Sequence, residues 1–557
     1  MGYFKIFIAL IMSFVMFLSN GITSLLPGTP SEPKSEAELY EMADIFEKYE
    51  LSDEIYVVNG GVSTDERAAI QSLQGLVARD KATIFINYGQ DSATELAFLE
   101  NAGCKLIYTD KNGENWTLKN LIPFFNSYIT DNSYVLFTST ETTEQINMAF
   151  NYTTVYGCLA VPESCEETVN VLGMKKAYDL TENKITVIDQ EKFYEEHKEL
   201  FRTDALVHQN YMVSGLRDFA VQQNIFIAYA MDSNYVERTF RDKLLTELEP
   251  SSIVFGWCQY EVKFTESVSS FGHYVIPSDH CFNMTILNAC EPQQISEKKD
   301  VNAPELDHEK HYIAIVYSDG DNAQWISNGY REFHTWQSFG LDTPVTWTFP
   351  PLMNEFSPVA VKKATDKLGN CSFITGPSGA GYARVSKMSA EKLEAYSEFT
   401  AATMLASGLT TMTLLDEPLG LPDFLWENKL SYFTRYDNIK GGILQIDPTR
   451  YAGGEGKVFF VDDKPFVSVR LSLWYPSGNA DDVTNEWLKE QAEIVNNYSA
   501  DISSISGYSV INVHPWTVGP DDLAYFVSQL DDGVEVISAD ELIAAVTANV
   551  PHKTAKP

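Results

Sequence analysis

Positive charge is scarce in this chain of 557 residues: 40 Lys and Arg stand against 77 Asp and Glu, a formal net charge of −37. A field of that sign repels phosphate backbones and anionic lipid, which argues against nucleic acid or a membrane surface as partner and leaves neutral partners such as sugars. Cysteine is sparse as well, with seven residues and no Cys-x-x-Cys spacing, so the common zinc and dithiol arrangements are excluded. Only one long apolar run occurs, Ile6 to Leu18, "IFIALIMSFVMFL", after the lone charge of Lys5 and before the small and polar "SNGITS". It is too short and one-sided for a spanning helix and reads as a signal peptide over residues 1–25; an uncleaved anchor there is the one membrane attachment left open. The protein is therefore expected to be secreted.

Export permits disulfides. Cys158 and Cys165 bracket "CLAVPESC", Cys281 and Cys290 bracket "CFNMTILNAC", and each pair is expected to close a local bridge. Glycosylation sequons stand at Asn115, Asn151, Asn283, Asn370 and Asn497, as in a glycoprotein.

After the signal, residues 26–45 include the Pro-rich "PGTPSEPKSE" and read as a linker. Over 46–205, strand-like runs ("EIYVVNGG", "ATIFINYG", "CKLIYTD", "SYVLFTS", "ITVID") alternate with helical patterns such as Asp65–Arg79, which predicts an N-terminal α/β unit with a mainly parallel sheet. Over 301–557 the strands "HYIAIVYSDGD", "PVTWTF", "CSFITG", "TMTLLDEP", "GGILQID", "FVSVRLSLW" and "YSVINVHPW" mostly lead into helices. That repetition predicts an irregular TIM-like (β/α) barrel. Between the two units, residues 206–300 are helical and then strand-like, and read as an intermediate domain that packs on or contributes to the barrel. The pair "KVFFVDD" and "KPFVSVRL" breaks the barrel pattern and reads as a hairpin turning at Asp462-Asp463.

Active sites of such barrels gather where strands end. Trp257 and Glu261 come after one strand-like run, Asp279 after another, and Asp319, Asp321 and Asn322 after a third; Asp416-Glu417, Asp447 and His514-Pro515-Trp516 end three more. Paired carboxyls supply acid with base or nucleophile, and indole faces stack on sugar rings; no single signal is specific, but their recurrence at strand ends is the materials list of a carbohydrate site. Bland readings stand beside it. Asp-Gly-Asp-Asn is sound turn chemistry, Asp416-Glu417-Pro418 suits a loop start, and His514 suits a satisfied core histidine. No metal or cofactor is expected. Asp319–Gln324 lacks the EF-hand ligand and glycine positions, and Gly60-Gly61 lacks dinucleotide-fingerprint spacing. The Gly-rich Gly376–Gly381 is neither a phosphate loop nor a nucleophile elbow, because no Gly-Lys-Ser/Thr comes after it and Ala380 stands where the closing glycine belongs.

Gly379-Ala380-Gly381-Tyr382 matches the first half of the motif that names the GxGYxYP family, and "SLQGLVARDKATIFI", "IVFGWCQYE", "SDHCFNMT" and "SDGDNAQW" resemble other segments of it. The chain resembles that family over nearly its whole mature length. The family is assigned to sugar hydrolysis by its barrel-like C-terminal fold, so the resemblance implies a glycoside hydrolase with Gly379 and Gly381 shaping a loop. One departure stands out: the family continues Tyr-x-Tyr-Pro, whereas Tyr382 is succeeded here by Ala383, Arg384 and Val385, which implies a shifted substrate preference or lost activity.

The expected catalytic groups are Asp319, Asp321 and Glu417, with Glu417 the acid; Asn322, Trp257, Glu261, Tyr382, Asp416, His514 and Trp516 are expected to bind substrate. Two alternatives remain. One is a metal-dependent polysaccharide deacetylase using Asp319, Asp321 and His514, although His273 and His280 lack the His-x-x-x-His spacing for its other ligands. The other is a non-catalytic glycan-binding surface protein.

Overall fold

The computed structural model describes residues 30–557 except 140–144, 183, 297–300, 320–322, 324–325, 327–341, 367, 417–421 and 448. Three small parallel sheets come first. β1 (Glu50–Val58), β2 (Lys81–Ile86) and β3 (Lys105–Ile107) pair in the order β2-β1-β3. β4 (Ser133–Phe137), β5 (Leu159–Pro162) and β6 (Lys175–Asp179) pair as β5-β4-β6. β7 (Ala205–His208), β8 (Ile227–Ala228), β9 (Ile253–Gly256) and β10 (Tyr274–Ile276) form a four-stranded sheet ordered β10-β9-β7-β8. The helix Thr64–Val77 lies among all three, buried from Ala68 to Val77 and touching β2, β5 and the helix Arg217–Gln223. The run "ITVID" predicts a strand, but a helix, Val187–His197, starts there. Thr186 Oγ takes the Asp189 amide while the Asp189 carboxylate takes the Thr186 amide, and this reciprocal cap outweighs the β-branched run.

The remaining strands are β11 (His311–Tyr317), β12 (Val345–Phe349), β13 (Ser372–Thr375), β14 (Thr411–Asp416), β15 (Gly441–Ile446), β16 (Val458–Val461), β17 (Lys464–Leu473), β18 (Tyr508–Val513) and β19 (Val534–Ile537). Seven of them, β11-β12-β13-β14-β15-β17-β18, run parallel and close when β18 pairs with β11, giving a complete barrel of TIM-like type. The strand-like runs at 253–257 and 273–279 belong to the separate four-stranded sheet. β16 is the antiparallel arm of a hairpin on β17; Asp462 (φ 49°) and Asp463 (φ 62°) both take the left-handed region that a tight right-twisted hairpin needs.

Side-chain alternation divides the barrel interior into layers. Tyr312, Ala314 and Val316 of β11 join Ile374, Ile443, Val467 and Val510 in an apolar lower layer, and the C-terminal helix Ala539–Asn549 contributes Leu542, Ile543 and Val546 to it, stoppering that end. Above them the interior turns polar. Ser318 donates to Gln445 Oε1 (3.3 Å), Gln445 Nε2 donates to Asn512 Oδ1 (2.7 Å), and Thr348 donates to Ser318 Oγ (3.0 Å), all fully buried, with Asn512 Nδ2 left without a partner among the described residues. The next inward positions beyond Gln445 and Asn512 are Asp447 and His514, so the polar layer is the floor of the mouth.

The structure bridges neither expected cysteine pair. Cys158 and Cys165 are split between two hydrophobic clusters, as are Cys281 and Cys290, so each thiol packs as a small apolar side chain on its own side. Burial pushes Cys158 up to about 12 and Cys165 to about 11, keeping both protonated. Among the described residues no helix is long and apolar enough to cross a membrane; the run from Ile6 to Leu18 lies outside them. Alkylation under denaturing conditions without reductant is expected to label Cys158, Cys165, Cys281 and Cys290; recovery of either pair as a cross-linked peptide would contradict the structure.

Candidate active site

The segment after β13 reaches out of the barrel and joins the four-stranded sheet. Val275 and Tyr382 exchange backbone hydrogen bonds, Val275 N–H to Tyr382 O at 2.9 Å and Tyr382 N–H to Val275 O at 2.8 Å, so Tyr382 pairs with the β10 edge. Glycine is required on the way. Gly379 has φ +80° and a Cβ there would meet Thr400 at 2.7 Å; at Gly381 a Cβ would sit 2.4 Å from the Tyr274 ring and 3.0 Å from Val275 O. The segment is then clamped from the barrel side. Asp416, at the end of β14, accepts the Ser386 amide (2.7 Å) and hydroxyl (2.6 Å), and Lys429 Nζ donates to the carbonyls of Val385 (3.0 Å) and Met388 (3.2 Å).

This join brings side chains from two sheets together. Glu261, which opens the helix after β9, accepts the Tyr382 hydroxyl at 2.8 Å, and the Trp257 ring stacks on Tyr382 with centroids 6.0 Å apart. Arg384 is completely buried. Its Nη2 donates to Tyr382 Oη (3.1 Å) and lies 3.7 Å from Asp447 Oδ2, while its Nε donates to Thr265 Oγ1 (3.1 Å). On the barrel side, Asp319 stands beyond β11 with His514 Nε2 3.4 Å from its Oδ2 and the Tyr451 hydroxyl 3.5 Å from its Oδ1. Trp474, just past β17, lies flat on His514 with centroids 3.7 Å apart and 4° between planes.

The electrostatics tie the two halves into one site. Burial raises the Glu261 carboxyl above the ordinary glutamate value, and the negative charge of Asp319 raises it further; the Tyr382 hydrogen bond and the Arg384 guanidinium pull the other way without cancelling the rise. Tyr382 and Tyr451 are pushed well above the usual phenol range, by burial first and then by Glu261 and Asp319 respectively, so both remain hydrogen-bond donors. A half-buried carboxyl of raised proton affinity near the Asp319 carboxylate, with Trp257 and Trp474 close by, is suited to proton transfer to a ligand with apolar faces.

Among the sequence-selected residues, the structure thus gathers Trp257, Glu261, Asp319, Tyr382 and His514, together with Asp447. Asp416 lies behind the site, holding the loop, and Trp516 is partly buried two residues past His514. Asp279, three residues past β10, is buried in the sheet domain, its carboxyl raised by burial. Asp321, Asn322 and Glu417 lie outside the described residues. Sequence reasoning missed Tyr451 and Trp474 and assigned Arg384 no contact. Trp474 ends a strand-like run and obeys the same strand-end rule, whereas Tyr451 sits in an irregular turn with φ 72° that no periodicity marks. Among the described residues no group of three or more His, Cys, Asp or Glu is placed to hold a metal.

The comparisons agree with this architecture. Residues 309–547 match the family model described as "GxGYxYP putative glycoside hydrolase C-terminal domain", and residues 203–289 match the "GxGYxYP third domain". The chain belongs to the GxGYxYP family. Its fold is similar to the crystal structure of a "putative hydrolase" from Bacteroides thetaiotaomicron, with a TM-score of 0.77 over 94% of this chain and 99% of that one, at 23% identity. No curated protein matches.

The raised Glu261 carboxyl carries a stability consequence. The unfolded chain gives up this proton at the ordinary glutamate value and the native state only at higher pH, so Glu261 lowers stability as pH rises through that window. Glu261→Gln is accordingly expected to gain on the wild type between pH 4 and pH 7 in urea midpoint; a difference that stays flat or moves the other way contradicts the raised value.

Proposed function

We propose that the protein is an exported glycoside hydrolase that cleaves a poly- or oligosaccharide by paired-carboxyl chemistry. The observation that carries this reading is Glu261, a carboxyl whose proton affinity is raised by burial and by the negative charge of Asp319. Glu261 acts as the general acid, giving its proton to the leaving glycosidic oxygen, and Asp319 acts as nucleophile or water-activating base on the developing oxocarbenium carbon. Tyr382 and Arg384 hold the acid in place; the buried guanidinium also limits how far its proton affinity climbs. Trp257 and Trp474 offer faces for the apolar sides of sugar rings. The family name supports a carbohydrate as substrate, and the acidic chain suits a neutral one.

A metal-dependent deacetylase is the second reading, favoured by the approach of His514 to Asp319. The two separate on chelation, because a deacetylase loses its water-activating ion and a two-carboxyl glycosidase does not. Glycan-cleaving activity is expected to survive chelator and to fall roughly 10²–10⁴-fold in Glu261→Gln and in Asp319→Asn, the range for lost acid–base assistance. Metal-dependent acetate release from acetylated sugars would transfer the assignment to the second reading, and binding without turnover across a broad glycan panel would leave neither. In a carboxyl-carbon NMR titration, Asp319→Asn is expected to move the Glu261 midpoint to lower pH, because it removes the second-largest cause of the rise.

A further inference from the structure

Another cavity, which shares no lining residue with the candidate active site, lies where the carboxyl ends of three parallel sheets converge. Thr64, Arg67 and Gln71 come from the helix after β1, Ile146 from the helix after β4, and Tyr211, Ser214 and Arg217 from the segment after β7. In open parallel sheets such crevices outside the carboxyl ends are where ligands bind. The cavity measures about 360 Å³, at the small end of the roughly 300–1,000 Å³ range of small-molecule sites.

Its charge is what needs an explanation. Arg217 is 1% exposed, and among the described residues its guanidinium meets only neutral acceptors: Asn147 Oδ1 from Nε (3.1 Å), Val213 O from Nη1 (2.5 Å) and Asn210 O from Nη2 (3.1 Å). The adjacent Asp218 pairs with neither arginine; it accepts the Thr285 amide (3.2 Å) and hydroxyl (3.0 Å) and, from the cavity side, Gln71 Nε2 (3.3 Å). Arg67 Nε is buried with no hydrogen-bond partner, and its guanidinium lies over the Tyr88 ring at 5.1 Å. Among the described residues neither arginine has a carboxylate within ion-pair distance, in a chain with 37 more acidic than basic residues. A buried cation without a countercharge is costly, and burial drags Arg217 down to about 9. Two guanidinium forks on one hydroxyl-lined cavity are the geometry that recognises a carboxylate or phosphate group.

We propose that this cavity binds a small anionic ligand of about monosaccharide size, its carboxylate or phosphate group held by Arg67 and Arg217 and its hydroxyls by Thr64, Ser214 and Gln71. The site is separate from the barrel mouth and does not depend on the hydrolase reading. The test is thermal unfolding of the full chain with millimolar sodium glucuronate, sodium phosphate, or glucose, each at matched ionic strength. At least one anion is expected to raise Tm by several degrees while glucose does not; glucuronate alone indicates an acidic sugar, phosphate alone a phosphorylated one. Arg67→Gln is expected to lose most of that shift with little change in ligand-free Tm, Arg67→Lys to keep part of it, and Glu261→Gln to keep all of it. Failure of both anions, an undiminished shift in Arg67→Gln, or loss of the shift in Glu261→Gln would overturn the proposal.

Discussion

The paired backbone hydrogen bonds between Val275 and Tyr382 join the edge of a four-stranded sheet to a loop of the barrel, and the candidate site exists because of that join. Glu261 and Trp257 are carried by the sheet, whereas Asp319, Asp447, His514 and Trp474 are carried by barrel strand ends. Neither set makes an acid beside a carboxylate by itself. The approach is possible because Gly381 presents no side chain to the Tyr274 ring, and it is held because Asp416 and Lys429 fasten the next turn. Sequence, backbone and charge act here in that order: a missing Cβ allows a strand pairing, and the pairing sets the proton affinity of Glu261.

The substitution of Arg384 for the family's second aromatic takes on a definite meaning in this frame. The guanidinium does not face solvent; it lies under the Tyr382 ring and donates to its hydroxyl, with its centre 5.7 Å from the ring centroid and Asp447 close by. A cation at that point steadies the phenol and Asp447, and it draws Glu261 back toward ionisation. The altered motif thus tunes the site's electrostatics while leaving the Tyr382 pairing with Val275 intact.

The barrel was legible in the sequence because its strands are buried on both faces and read as near-continuous apolar runs that stop at polar residues, as "HYIAIVYSD" and "TMTLLDEP" do. The strand-end rule then found Asp319, His514, Trp257 and Glu261. What it lacked was any sense of which ends face one another: Glu261 lies on a different sheet from Asp319, and pairing between Val275 and Tyr382, 107 positions apart in the numbering, leaves no local pattern. Short strands were missed for a related reason. β6, "KKAYD", is exposed along most of its length and carries no hydrophobic signal, and β8 has two residues. The cysteine pairs were misread because spacing reports distance along the chain, whereas alternate burial sent the two thiols of each pair into different clusters.

The division of the site between two sheets has a consequence for how the protein holds its proton. The proton affinity of Glu261 is raised because the carboxyl is buried and because Asp319 stands near. Separating the sheet from the barrel would admit solvent, remove that charge and return the carboxyl toward its ordinary acidity. The raised proton affinity of Glu261 therefore depends on the join between the sheet and the barrel loop.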